Sequence, residues 1–242
     1  MDKRVGIITQ ARTTSTRLPE KVLLRANGKT VLQHHLERLT WSRKPVFVAT
    51  TVNGSDDPIV SIAEDCGAGV FRGDEQDVLG RFYGCATEFQ LDVIVRVTSD
   101  CPLIDGAMIG KCLEDYIGFN DPNIYYSNCL ERTFPRGLDF EIFSFELLKD
   151  AYLHAQELFE KEHVTPYINR NRSGKVKLKH FTYREDLSNL RWTLDTSDDW
   201  ALINKLFTDF KVEKKSFEEI VQIVKAHPEL ENLNQHIKQK EI

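Results

Sequence analysis

Between Arg12 and Lys29 the sequence gathers five cations, Arg12, Arg17, Lys21, Arg25 and Lys29, against one acid, Glu20. The chain as a whole runs the other way, with 32 Lys and Arg facing 37 Asp and Glu for a net charge of −5. A local cluster of the opposite sign therefore predicts an anionic ligand. Arginine forks match phosphate oxygens in pairs and a lysine supplies a movable point charge, while Ser15 and backbone amides can complete a cradle. From Thr9 to Thr16 there is no large apolar side chain, so this stretch is expected to line something polar rather than to pack. It is not a Walker loop, because the glycines and the Gly-Lys-Ser/Thr ending are absent. A solvated basic loop is the plain alternative.

Two carboxylates elsewhere have the setting that metal chemistry asks for. Asp100 follows an apolar stretch in Thr98-Ser99-Asp100-Cys101-Pro102, and Asp195 does the same in Leu194-Asp195-Thr196-Ser197. Each is expected at the carboxyl tip of a strand. A Mg²⁺ ion that bridges substrate phosphates needs one or two such oxygen donors. Read alone, each aspartate is equally a cap, Asp100 for the turn before Pro102 and Asp195 for the helix opened by Thr196. Asp198 and Asp199 fit the first turn of that helix and are assigned no chemistry.

Three weaker groups complete the candidates. Arg136, Asp139 and Glu141 lie in Pro135–Phe143, which could take an acidic, hydroxylated small molecule or could be an alternating edge strand with surface charges. His163 lies in Glu162-His163-Val164-Thr165-Pro166-Tyr167, either as a ligand contact or as a structural histidine. Asp77 and Arg81 follow Gly73-Asp74-Glu75-Gln76, and Arg81 reads as a nucleotide contact or as a helix-surface ion pair.

The elements that must position these residues follow a regular rhythm. Val5-Gly-Ile-Ile is an apolar run expected as a buried first strand, Val46–Thr51 a second, Gly69–Arg72 a third and Val93–Thr98 a central one. Helices are expected from Val31 with Thr30 as cap, from the Asn53–Pro58 turn to Cys66, and over Val78–Phe89. Strand and helix alternate through the first hundred residues, which predicts a mostly parallel sheet with helices on both faces and the basic loop at its carboxyl edge. Beyond Pro102 the order is less regular. Helices are expected over Asp105–Ile117, Phe145–His154, Gln156–Asn169 and Asp198–Phe210, and strands at Ile124–Asn128, Phe140–Phe143 and Val176–Tyr183. The segment Ser216–Lys240 reads as amphipathic helix broken at His227-Pro228. One α/β domain over 1–242 is expected, with 120–185 as an acceptor-side or dimerisation excursion.

The totals narrow the class. A 41% hydrophobic and 29% charged composition is that of a globular protein. The chain starts Met1-Asp2-Lys3-Arg4 without an apolar leader, and no run of about 18 apolar residues exists, so a cytoplasmic protein without membrane contact is expected. Its five cysteines lack Cys-x-x-Cys spacing and read as reduced. An acidic chain without a basic stripe excludes nucleic acid as the expected partner.

Gln10-Ala11-Arg12, Ser15, Arg17-Leu18-Pro19, Lys21 and Leu23-Leu24 together resemble the signature loop of the cytidylyltransferases that make CMP-activated sugar acids. The likeness is greatest to the subgroup named for spore-coat polysaccharide biosynthesis, and CMP-Kdo synthetases are similar. Thr9-Gln10 stands where many relatives have Ile-Pro, and Glu20 where the Kdo enzymes have Gly. The resemblance implies a three-layer, Rossmann-like nucleotidyltransferase fold that joins CMP from CTP to a sugar acid or related polar acceptor and releases pyrophosphate, for surface polysaccharide. It implies nucleotide contacts by Gln10, Ala11, Arg12, Ser15, Arg17, Lys21, Asp77, Arg81, Thr98 and Ser99. It also implies Mg²⁺ ligation by Asp100 and Asp195, catalysis by Arg12, Lys21 and Asp100, and acceptor contacts by Arg136, Asp139, Glu141 and His163. A homodimer is a further implication. A nucleotide-sugar-dependent glycosyltransferase and a non-catalytic nucleotide-binding protein stay open as alternatives; the former generally carries Asp-x-Asp, and here the strand tip offers the single Asp100.

Overall fold

The computed structural model describes residues 3–238. Its strands are β1 (Val5–Gln10), β2 (Arg25–Ala26), β3 (Lys29–Thr30), β4 (Val46–Thr51), β5 (Gly69–Gly73), β6 (Val93–Thr98), β7 (Ile124–Ser127), β8 (Glu141–Ser144) and β9 (Lys177–His180). The α-helices are α1 (Val31–Leu39), α2 (Asp57–Asp65), α3 (Val78–Glu88), α4 (Gly106–Phe119), α5 (Phe145–His154), α6 (Leu158–His163), α7 (Pro166–Asn169), α8 (Ser197–Thr208) and α9 (Phe217–Ala226). β2 and β3 form a small hairpin, and the remaining strands make one seven-stranded sheet in the order β5-β4-β1-β6-β8-β7-β9. The first four of these are parallel, β8 runs antiparallel to both its neighbours, and β9 is parallel to β7. The strands from 120–185 thus continue the main sheet.

β1 is central and buried on both faces, so its side chains alternate between two cores rather than between core and water. Ile8 packs with Phe82 and Cys85 of α3 and with Leu148 of α5 on one face. Ile7 packs with Ile109, Cys112 and Leu113 of α4 on the other, and α1 and α2 close that side over Val48. Each such aliphatic or aromatic side chain stabilises the fold by about 1.5–3 kcal/mol when taken fully from water. A third cluster, built on Trp192, Phe207, Phe217 and Leu103, seats α8 and α9 beneath the carboxyl edge of the sheet.

The helix starts follow their caps. Thr30 and Gln33 form a capping box at α1, Asp105 accepts from Met108 at α4, and Thr196 with Asp199 boxes α8. Two expectations for the second half are corrected. The helix expected over Gln156–Asn169 is two short ones, α6 and α7, because Pro166 cannot continue a helix begun upstream and Val164 turns the chain with φ 70°. The strand expected over Val176–Tyr183 is only Lys177–His180. The expected tail helix is α9 followed by a 3₁₀ segment at Pro228–Leu233, and its positions beyond 238 lie outside the described residues. Among the described residues no helix is long and apolar enough to cross a membrane, and all five cysteines are free thiols.

Candidate active site

The carboxyl tips of β1 and β6 open into a cavity of about 520 Å³, which the loop after β1 and helix α6 also line. Parallel α/β sheets put ligand sites at this edge because successive loops diverge there. The loop itself is pinned before it reaches the cavity. Asp56, fully buried, accepts from the backbone amide of Thr13 at 2.8 Å, from its hydroxyl at 2.7 Å and from Thr51 at 2.6 Å. Burial would raise the Asp56 carboxyl, but these donors outweigh it and hold it below its usual range. The carbonyl of Thr13 then accepts from Ser15 and Glu20 amides, both at 2.9 Å. Glu20 closes the loop with φ 54°, a left-handed conformation that favours glycine.

Asp100 and Asp195 are neighbours despite the length of chain between them. The segment carrying Asp195 is fastened by Trp192 N to Arg136 O at 2.7 Å and by Leu194 N to Asp100 O at 2.8 Å. Gly137, with φ 100°, lets its backbone approach Trp192 where any Cβ would lie 2.5 Å from the Trp192 carbonyl carbon. Lys21 Nζ reaches both carboxylates, Asp100 Oδ2 at 2.7 Å and Asp195 Oδ1 at 2.8 Å. Arg17 meets Asp195 Oδ1 at 3.0 Å. Burial would lower the Lys21 ammonium, but the two aspartates hold it above its usual value. Burial would likewise raise Asp100, yet the Lys21 charge and hydrogen bonds from Lys21 and Thr98 bring it down to about 2. Both groups are therefore charged at neutral pH.

A second tier holds Asp195 from behind. Buried Arg191 gives Nη2 to Asp195 Oδ2 at 2.9 Å and Nε to Asp199 Oδ1 at 2.8 Å. Asp199 also accepts from the amides of Asp195 and Thr196, each at 3.0 Å. Asn234 closes the arrangement, donating to Asp199 Oδ1 at 2.8 Å and to the Arg191 carbonyl at 2.9 Å. Three carboxylates and three cations thus balance at the centre. On the other side of Asp100, fully buried His35 bridges Thr9 Oγ1 at 3.0 Å and the Cys101 carbonyl at 2.9 Å. Because a carbonyl only accepts, Nδ1 carries the proton, and burial keeps the ring neutral with a pKa lowered to about 4.

The structure brings together Gln10, Ala11, Arg12, Ser15, Arg17, Lys21, Arg81, Thr98, Ser99, Asp100, His163 and Asp195 as cavity-lining residues. Arg12 pairs with Glu75 at 3.4 Å, and Ser99 Oγ donates to the Gln10 carbonyl at 2.6 Å, tying the two strand tips together. Four expected residues lie off this wall. Asp77 is the N-cap of α3, accepting from Gly80 N at 2.8 Å. Asp139 makes a bidentate pair with Arg132 at 2.6 and 3.1 Å. Arg136 contributes through its backbone bridge to Arg191. Glu141 stands opposite Arg96 in the β6–β8 register and pairs with it across the strands, sealed from the cavity. Arg191, Asp199, Asn234, Glu75 and His35 were not anticipated as part of the site. Spacing gave no hint of them: Arg191 and Asp195 are four apart on a non-helical segment, and the fold brings their side chains together.

Asp100 and Asp195 fit a Mg²⁺ ion by the chemistry of their donors: hard carboxylate oxygens from two segments already share one cation, the Lys21 ammonium.

Residues 6–242 match the family model described as Cytidylyltransferase. Among curated proteins the chain is similar to the spore coat polysaccharide biosynthesis protein SpsF of Bacillus subtilis, 30% identical over 208 residues that cover 83% of this chain and 85% of that protein. Among solved structures it is similar to a cytidylyltransferase from Leptospira borgpetersenii, 35% identical with a TM-score of 0.91, covering 98% of this chain and 100% of that one. The CMP:2-keto-3-deoxy-manno-octonic acid synthetase complexed with CTP shares the fold at a TM-score of 0.62 and 15% identity, covering 84% of this chain and 98% of that one.

Proposed function

The chain belongs to the cytidylyltransferase family, and from that premise we propose that it transfers CMP from CTP to a sugar acid or related polar acceptor, releasing pyrophosphate, in the assembly of a surface polysaccharide. The observation that carries this reading is the convergence of the loop cations Arg17 and Lys21 with Asp100 and Asp195 at the mouth of one cavity. The relatives support the reading: the similar Bacillus protein is named for spore-coat polysaccharide, which bears on the product, and the synthetase that shares the fold was solved with CTP, which bears on the donor.

In the proposed reaction an acceptor hydroxyl oxygen bonds to the α-phosphorus and the α–β anhydride bond breaks. Its electron pair leaves on pyrophosphate, and the hydroxyl proton is released. Asp100 and Asp195 would hold Mg²⁺, which supplies charge neutralisation at the phosphates. Lys21, displaced from the two carboxylates, and Arg12 and Arg17 beside it would hold the β- and γ-phosphates and stabilise charge on the leaving group. The pinned loop holds the backbone from which those side chains reach, so positioning rather than covalent chemistry would supply the rate.

Labelled CTP, Mg²⁺ and a panel of sugar acids test the proposal. Pyrophosphate release that depends on one of the acids, with a CMP-linked product, is the expected result. Sugar transfer from a nucleotide sugar, or CTP binding without product for every acid, would overturn it.

A further inference from the structure

The carboxylates after β6 and before α8 converge on a single atom. Asp100 Oδ2 lies 2.7 Å and Asp195 Oδ1 2.8 Å from Lys21 Nζ. Arg17 takes the same Asp195 oxygen at 3.0 Å, and Arg191 takes Asp195 Oδ2 from behind at 2.9 Å. A divalent ion shared by the two aspartates is drawn to the oxygens that already meet at Lys21. The ammonium therefore stands where such an ion would be held, with one charge in place of two.

Charge decides what can replace it. Arg17, Lys21 and Arg191 balance Asp100, Asp195 and Asp199. A divalent ion added to the intact cluster would bring surplus positive charge into a site where the Lys21 side chain is 12% and the Asp195 side chain 9% exposed, and burial makes that surplus costly. The three cations differ in what holds them. Arg191 reaches Asp199 through Nε and Nη2 at 2.8 and 3.1 Å and is latched through its carbonyl to Asn234. Lys21 and Arg17 extend from the basic loop, Lys21 on a flexible stem beside buried Val22 and Arg17 with 47% of its side chain exposed. A triphosphate offers both a denser anion. With both on phosphate, three carboxylates face Arg191 alone, and the resulting deficit equals the charge of one Mg²⁺ ion.

We propose that Lys21 and Arg17 keep the metal position closed to a lone divalent ion and open it when a triphosphate draws them off, so that metal and nucleotide are admitted as a pair. This rests on the proposed function for the identity of both ligands and adds the order in which the site takes them. Linkage makes the coupling mutual: what the ion gains from the nucleotide, the nucleotide gains from the ion. Because CTP itself chelates metal, the deciding measurement uses none.

Mn²⁺, which takes the same oxygen donors and has a paramagnetic resonance signal that is lost on binding, is titrated with enzyme alone. Lys21→Met should bind it about tenfold more tightly than wild type, since one close positive charge is gone, and Arg17→Met should gain less, since it meets Asp195 only. Lys21→Gln makes the same comparison should the methionine variant fold poorly. Asp100→Asn placed on Lys21→Met should return the affinity to the wild-type level. As a readout of another kind, Mn²⁺ should raise the melting temperature of Lys21→Met and leave that of wild type nearly unmoved. Wild type binding Mn²⁺ as tightly as both Lys21 variants, or tight binding that survives Asp100→Asn, would overturn the inference. No acceptor and no turnover enters these measurements: product missing with every sugar acid counts against the proposed function, and metal binding indifferent to Lys21 counts against the inference drawn from it.

Discussion

Two carboxylate clusters flank β6, and they use the same residue type in opposite ways. At the strand's carboxyl tip, Asp100 and Asp195 share a lysine that comes from a short 3₁₀ turn, Lys21–Leu23, and Asp100 keeps 23% of its side chain exposed to the cavity. Halfway back, Glu141 has 7% exposed and takes its cation from Arg96, the register partner on the adjacent strand. A long-stemmed lysine on a loop can leave when a better counter-ion arrives. An arginine held in a ladder and stacked over Phe82 cannot. Whether a buried acid serves chemistry or support is thus decided by the mobility of its partner more than by the acid itself.

The contrast can be broken most directly at Asp100. Asp100→Asn should lower kcat about 10³-fold, a scale typical of losing one preorganised charge at a reacting centre, while the circular dichroism spectrum stays that of the folded wild type. Near-normal turnover would remove Asp100 from the working cluster. The sealed cluster should behave the other way: Arg96→Met leaves Glu141 buried without its cation and should cost about 3 kcal/mol in urea unfolding. A single variant as stable as wild type would show that the pair carries no weight.

A smaller effect separates the clusters by pH. The His35 ring titrates near its ordinary 6.5 when unfolded and at about 4 when folded. The unfolded state therefore binds more protons between those values, and stability is present above pH 6.5 and falls as pH drops toward 4. Unfolding at pH 5 should require about 2 kcal/mol less than at pH 7, and His35→Gln should flatten this difference. The smallest expected effect concerns Asp77, whose carboxylate caps α3. Asp77→Ala should cost about 1 kcal/mol in stability and leave KM for CTP unchanged; a weakened KM would return Asp77 to the nucleotide.

The alternating first half was legible because parallel strands buried on both faces write apolar runs, as in Val5–Ile8 and Val93–Val95, and because caps such as Thr30 stand at their helix starts. The loop cations and the two tip aspartates could be picked out for the same local reason, their departure from the surrounding pattern. Glu141 could not, because an alternating strand hides which face is sealed until its neighbour and register are known. Arg191, Asp199 and Asn234 were invisible in another way: each looks like an ordinary surface or capping residue, and only the fold brings them behind Asp195. The turn at Val164 gave no sign either, since nothing in the type of a valine announces positive φ.

Asn234 lies close to the end of the described chain, yet its amide latches Arg191 and Asp199, and through them Asp195. During synthesis the first loop and β6 can be in place long before that latch emerges from the ribosome. Competence is therefore a late property of the growing polypeptide: a chain stopped short of this asparagine would have most of its sheet and nearly all of its basic loop, but an aspartate without its brace.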